Sequence, residues 1–282
     1  MRRIYQLSML CLAAGVVNAC KPEELFTSEA IPTAGIRFLN VVPDTGAVDF
    51  RPVDIVENSD FYNVGFRSTT LAFYKNARAG ERHYRIFMSV ANFSQLPAEQ
   101  QIAIASTVLK DTTVTLEAGH RYTFILWGFA RAGSTPGMRL TVFDDNPADP
   151  GTQVALRLVN AAAGLGAVDG RQYPAAGTPP VAATWSAVPE LSFSAYVSAP
   201  ADSIKYRVTA AGGTTALFTD PRAILGAAAT VDLDALPGTR VPGSAVTGFV
   251  VPRSVLGSGA VNITTPGIIF LWDRRPPRPA GI

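Results

Sequence analysis

The feature that most constrains this chain is a long internal repeat. Residues 36–49 align without a gap against residues 156–169. Arg37, Asn40, Gly46, Ala47, Val48 and Asp49 recur 120 positions later as Arg157, Asn160, Gly166, Ala167, Val168 and Asp169, with apolar residues between them in both. Further on, Gly119 and Arg121 recur, one residue out of step, as Gly238 and Arg240. Solenoid repeats run about 20–50 residues, so this spacing describes two tandem domains of similar fold. A run of turn formers, Asp144-Asp145-Asn146-Pro147-Ala148-Asp149-Pro150-Gly151, stands just before the second copy. The expected domains are 36–145 and 154–272, with a linker at 146–153 and a Pro/Arg-rich extended tail at 273–282.

Within each copy the apolar residues alternate with polar ones. Ile204-Lys205-Tyr206-Arg207-Val208-Thr209 is one such segment, as expected of half-buried strands. Val114 and Leu116 alternate with threonines, Ala118-Gly119-His120 turns the chain, and residues 122–127 return, a hairpin pattern. Residues 230–234 and 261–264 alternate similarly, while 98–106 and 221–229 are the expected short helices. Half-buried strands need a second sheet over their apolar face. The predicted fold class is therefore all-β, with two tandem antiparallel β-sandwiches, Ig-like in kind. Charged residues are 16% and hydrophobic residues 48% of the chain, the reverse of a disordered composition. With a net charge of +2 and no like-charge run in the body, the concentrated basic face that nucleic acid requires is missing.

The first residues read as an export signal. Arg2 and Arg3 precede an apolar stretch at 7–17, well short of the roughly 20 residues of a spanning helix. Val17-Asn18-Ala19-Cys20 resembles the lipobox of bacterial lipoproteins, in which cleavage follows Ala19 and the thiol of Cys20 is acylated. The cysteine count agrees, because Cys11 falls in the removed segment and leaves Cys20 alone, at the first position of the mature chain. That reading divides the N-terminus into a signal peptide, 1–19, and a lipidated Cys with its tether, 20–35. It anchors the chain to a membrane through lipid rather than a helix. Lys21 after the Cys favours the outer membrane, by resemblance to lipoprotein sorting, with the domains facing the periplasm or the exterior.

The repeated motif resembles the bacterial family known as domain of unknown function 4397, whose members open with an Arg-φ-x-Asn/His strand, a Pro-containing turn and a φ-Asp. Here these are Arg37, Asn40, Pro43, Val48 and Asp49, then Arg157, Asn160, Val168 and Asp169. Ala118-Gly119-His120-Arg121-Tyr122-Thr123 is similar to the family's Ala-Gly-x-x-Tyr-Thr segment. The second copy departs in three places: Ala163 stands at the turn Pro, Gly170 follows the Asp, and residues 237–242 lack Tyr-Thr. The resemblance implies an exported β-sandwich protein and supplies no catalytic residues.

The polar set shared by both copies reads as framework. Arg37 with Asp49, and Arg157 with Asp169, are expected to pair between neighbouring strands, and Asn40 and Asn160 to cap the following turn. Gly164-Leu165-Gly166-Ala167-Val168-Asp169 is no dinucleotide fingerprint, since Asp169 takes the place of the last small residue and Pro174, Gly177, Pro179 and Pro180 forbid the helix. His83 and His120 are the only histidines, without metal-ligand spacing, and no G-x-S-x-G elbow marks a nucleophile. Asp144, Asp145 and Asp149 are the candidates for calcium, as hard oxygen ligands at the domain junction. No cofactor is expected. The role this supports is non-catalytic binding or scaffolding in the envelope, toward a polysaccharide or protein partner. A carbohydrate-binding module using Trp127, Trp185 and Trp272 is the alternative, and an envelope hydrolase a more distant one.

Overall fold

The strand β1 (Thr33–Asn40) buries both of its faces: Ile36 and Phe38 point one way, Arg37 and Leu39 the other, all fully shielded from solvent. Side chains alternate across a strand, so burial of both sets requires a layer on each side. The computed structural model, which describes residues 30–69, 73–89 and 93–278, supplies those layers. Cys20 and Ala19 lie outside the described residues. No helix among the described residues is long and apolar enough to cross a membrane.

The N-terminal sandwich continues with β2 (Val48–Pro52), β3 (Phe61–Val64), β4 (Lys75–Arg78), β5 (Gly80–Met88), the helix α1 (Ala98–Ser106), β6 (Val108–Leu116), β7 (Arg121–Trp127) and β8 (Arg139–Asp144). Its sheets have the orders β4-β1-β7-β8 and β3-β2-β5-β6. The C-terminal sandwich comprises β9 (Gln153–Asn160), β10 (Val168–Pro174), β11 (Trp185–Val188), β12 (Ser192–Phe193), β13 (Val197–Pro200), β14 (Ile204–Ala210), β15 (Ala245–Val251) and β16 (Gly267–Arg274). Here the orders are β12-β9-β15-β16, with β13 also on β9, and β11-β10-β14.

The fold is all-β, but its sheets are not purely antiparallel. β1 and β7 run parallel, Ile36 opposite Tyr122, and β9 and β15 run parallel in the same register, Leu156 opposite Val246. That register corrects several expectations. Arg121 corresponds to Ala245, opposite Gly35 and Ala155 respectively, so the match of Gly119 and Arg121 to Gly238 and Arg240 is not structural. β6 and β7 do not form a hairpin, because β6 pairs with β5 in one sheet while β7 joins β1 in the other. Residues 221–229 are not helical but extended, bridging to β14 at Arg222 and to Leu236 at Ala227, and 230–234 and 261–264 form no strand. β16 extends to Arg274, so Asp273, assigned to the tail, belongs to the sheet, and β1 begins inside the expected tether.

Three apolar clusters hold these layers together. One fills the N-terminal sandwich, around stacked Phe38, Phe50 and Tyr84. A second fills the C-terminal sandwich, around Trp185 and Tyr206. The third, including Leu39, Ile125, Trp127, Val159 and Phe249, lies between sheet β4-β1-β7-β8 and sheet β12-β9-β15-β16. Four sheets therefore stack in sequence, and the two sandwiches share a seam within one compact unit from Thr33 onward.

The two interiors solve the same packing problem with opposite choices. Phe50 opposes Phe61 across β2 and β3, whereas Gly170 opposes Trp185 across β10 and β11. A Cβ on Gly170 would stand 2.6 Å from Leu158 Cδ2 and 2.9 Å from Trp185 Cε3. The position at which the second copy departs from the first is thus the space into which the larger Trp185 ring fits.

Candidate functional site

At the centre of the seam lies a buried charged cluster with approximate two-fold symmetry. Arg37 on β1 donates from Nε to Thr123 Oγ1 on β7 at 2.6 Å, and Arg157 on β9 donates from Nε to Thr247 Oγ1 on β15 at 2.9 Å. Each guanidinium then reaches toward the other half. Arg37 Nη2 donates to Asp273 Oδ1 at 2.5 Å and to Asp145 Oδ2 at 3.4 Å, while Arg157 Nη2 donates to Asp145 Oδ1 at 2.6 Å. Tyr74 donates its phenolic proton to Asp145 and Tyr196 its own to Asp273. The guanidinium of Arg37 lies 4.5 Å from the Tyr74 ring, and that of Arg157 4.4 Å from the Tyr196 ring.

Two cations and two anions balance the cluster, which burial without pairing would make prohibitively costly. Burial works against the Arg37 guanidinium, yet Tyr74, Asp145 and Asp273 hold its pKa above the ordinary value. Burial likewise raises the Asp145 carboxyl against the opposing pull of Arg37 and Arg157. Both carboxylates are thus held by arginine and hydroxyl donors from the two halves, and the cluster clamps the sandwiches together.

The expected pairing of Arg37 with Asp49 and of Arg157 with Asp169 does not form. Each Asp instead stabilises a backbone irregularity. Asp49 Oδ1 accepts from the amide of Asn63, and Asp169 Oδ1 from that of Ala187. Both recipients have positive φ, 53° and 48°, a conformation non-glycine residues seldom adopt. Asp49 also pairs with Arg51 on its own strand, and Asp169 accepts a further bond from the Gly212 amide. Asn40 and Asn160 hold the turns: each accepts from the amide two residues on, Val42 or Ala162, and donates to the carbonyl of Val64 or Val188.

Loops at one end of the seam enclose a cleft of about 700 Å³. Phe129 from the β7–β8 loop, residues 163–165 after β9 and the β15–β16 loop contribute its walls. The loops of each half rest on the turn of the other. Phe129 Cζ would be 3.2 Å from a Cβ on Gly164, and Val255 donates its amide to the Pro43 carbonyl. Arg67 secures both ends of the β15–β16 loop by donating to the carbonyls of Pro252 at 2.7 Å and Thr265 at 2.5 Å. Burial lowers the pKa of this guanidinium to about 10. At the opposite end of the seam a smaller, more polar hollow of about 390 Å³ is lined by Tyr74, His120, Arg121, Trp272 and Arg275.

The remaining candidates are dispersed. Asp145 is enclosed by two arginines, Asp144 accepts from His120, and Asp149 pairs with Arg274. The calcium candidates therefore have separate cationic partners and do not converge, and no group of three His, Cys, Asp or Glu side chains suited to a metal occurs among the described residues. His83 pairs with Asp111, which also accepts from Arg85 at the surface. His120 lies between Asp144 and Glu117, and the Asp144 hydrogen bond raises its pKa. Neither histidine bonds a hydroxyl among the described residues. Trp127 and Trp185 are buried, and Trp272 meets Tyr74 edge-on at 74°, so the tryptophans do not line up as a flat platform. The Pro/Arg tail is held too: Arg275 and Arg278 pair with Asp234.

Nothing in the repeat marks Asp145, Asp273, Thr123, Thr247, Tyr74 and Tyr196 as one cluster. Their pairwise spacing drifts from 122 at the tyrosines to 124 at the threonines and 128 at the aspartates. A gap-free comparison at 120 passes over all three pairs; one that allowed insertions would have found them.

These shared motifs agree with the comparison to known families. Residues 34–171 match the family model described as Domain of unknown function (DUF4397). The match runs from the second residue of β1 through the rest of the N-terminal sandwich and ends within β10, so it contains Arg37, Asn40 and Asp49 with Arg157, Asn160 and Asp169. No curated protein matches the chain. Among solved structures, the Bacillus anthracis TIE protein is similar at 10% identity and a TM-score of 0.21, over 86% of this chain. This chain spans only 44% of that protein's length. A putative cell adhesion protein from Bacteroides eggerthii DSM 20697 is similar at 10% identity and a TM-score of 0.17, covering 87% of this chain and 96% of its own. TM-scores this low transfer neither fold nor function.

Proposed function

We propose that this is a lipid-anchored, non-catalytic binding protein of the bacterial cell envelope, with Cys20 as the acylated residue and two tandem copies of the family's domain. The observation that carries the reading is the placement of the cleft. It is built from loops of both halves at the ends of β7, β9 and β15, so neither sandwich alone would form it. The clamped seam keeps its walls in a fixed relation, the arrangement expected of a binding surface set on a rigid scaffold. Outer-membrane placement belongs to the same proposal.

Two measurements test it. Palmitate labelling should mark the wild-type protein and be lost in Cys20→Ala; equal labelling overturns the anchor. A binding screen against envelope polysaccharides and surface proteins should return a partner whose binding falls in Leu256→Asp. Leu256 lines the cleft and is 86% exposed, so the fold tolerates the change. Retention of every partner by that variant removes the cleft from the function. A histidine-dependent hydrolytic activity would overturn the non-catalytic reading.

A further inference from the structure

The cleft has a charge and a polarity of its own. Leu165, Val255, Leu256 and Pro266 make much of its wall apolar, and Arg253 is the only ionisable residue on the lining. Arg253 has neither an ion-pair nor a hydrogen-bond partner among the described residues, and the same holds for the side chains of Asn262 and Thr264. Two acids on the adjoining turns bond backbone amides and not Arg253: Glu190 accepts from Gly164 and Gly166, and Asp44 from Ala130 and Arg131. Arg67 and Arg131, beside the cleft, donate only to carbonyl oxygens. The lining therefore carries one positive charge that no acid pairs with directly, against an apolar wall, with an amide and a hydroxyl free to bond.

We propose that the cleft binds an apolar ligand ending in a single carboxylate, an inference that rests on the cleft being the binding site. The apolar body would displace water from Leu165, Val255 and Leu256, and the carboxylate would accept from the Arg253 guanidinium, which presents a planar fork suited to two oxygens. Asn262 and Thr264 would take the amide or hydroxyl next to that group. The volume is in the range of sites for drug-sized ligands. A polyanion fits poorly, because Arg253 supplies the single charge on the lining and much of the remaining wall is apolar. A cation is opposed by the local charge. Two sources supply the required chemistry: a medium-chain fatty acid and the C-terminal residues of an apolar peptide.

The full chain is titrated by calorimetry with octanoate, octanol and octylammonium, and with an apolar tetrapeptide in free-acid and C-terminally amidated forms. Either octanoate or the free-acid peptide should bind, and which of them binds identifies the source. Octylammonium and the amidated peptide should bind at least tenfold more weakly, as loss of a charge-assisted hydrogen bond requires. Arg253→Gln should weaken the acid by tenfold or more and leave octanol unchanged. Equal binding of acid and ammonium, indifference of the acid to Arg253→Gln, or no binding by either acid overturns the proposal. Should a partner from the envelope screen still depend on Leu256 when the acids fail, the cleft stands as the site and only the carboxylate class is refuted.

Discussion

Substituting Asp145 with Asn tests the clamp between the sandwiches most directly. The side chain of Asp145 is fully shielded and accepts from Arg157 at 2.6 Å, Arg37 at 3.4 Å, Tyr74 at 3.1 Å and the Thr123 hydroxyl. The amide keeps the shape but removes the charge, leaving two buried guanidiniums facing one carboxylate, Asp273. Breaking a buried pair by removing one partner costs about 3–5 kcal/mol. An internal control is Asp149→Asn, which removes the partner of Arg274 in a pair whose side chains are 26% and 55% exposed; exposed pairs contribute about 0–1 kcal/mol. Equilibrium urea unfolding, read by the fluorescence of the buried Trp127 and Trp185, separates the two. With a denaturant slope of about 1–3 kcal/mol/M, Asp145→Asn should lower the midpoint by about 1 M or more, and Asp149→Asn by a few tenths. Equal shifts in the two variants would refute the idea that charge balance holds the seam.

Other consequences follow from single residues. Gly170→Ala places a methyl against Leu158 and Trp185 and should cost about 1–3 kcal/mol in the same unfolding assay; a neutral result would show that Trp185 can move aside. Burial raises the phenols of Tyr74, Tyr84, Tyr196 and Tyr206, and burial with the Asp220 hydrogen bond pushes Tyr173 up to about 12. Folded-state values above the unfolded value of about 10 mean that the stability these groups contribute is complete below pH 10 and declines as pH rises through the folded values. A tyrosinate absorbance titration should therefore leave them silent until far-UV circular dichroism reports unfolding, and ionisation near pH 10 in the intact fold would contradict it. The His120 ring should titrate above 6.5 by NMR and return toward that value in Asp144→Asn, because the Asp144 hydrogen bond is the main cause of the rise. Its favourable contribution is present below the unfolded pKa and is lost as pH rises through the folded one; an unchanged titration in the variant would exclude Asp144 as the cause.

Local chemistry was readable from the chain itself. The repeat marked Asn40 and Asn160, whose bonds to the next turn span a few residues and follow from residue type. Alternation marked β14 and β7, and an all-β fold follows from such strands. Asp49 and Asp169 were recognisable as framework, but not the positive-φ residues they hold, because a bulge leaves little trace in composition. Arg37 and Arg157 were visible as residues and misleading as partners. Period two says that Arg37 shares a face with Leu39 and not what that face meets. Only the stacking of two sandwiches brings Asp145 and Asp273 to the arginines, across 108 and 236 residues of chain from Arg37. The same stacking assembles the cleft from three distant loops. Hydrogen-bonding turns act over a few residues and are written locally, whereas the neutralisation of a buried charge depends on which surfaces meet in space.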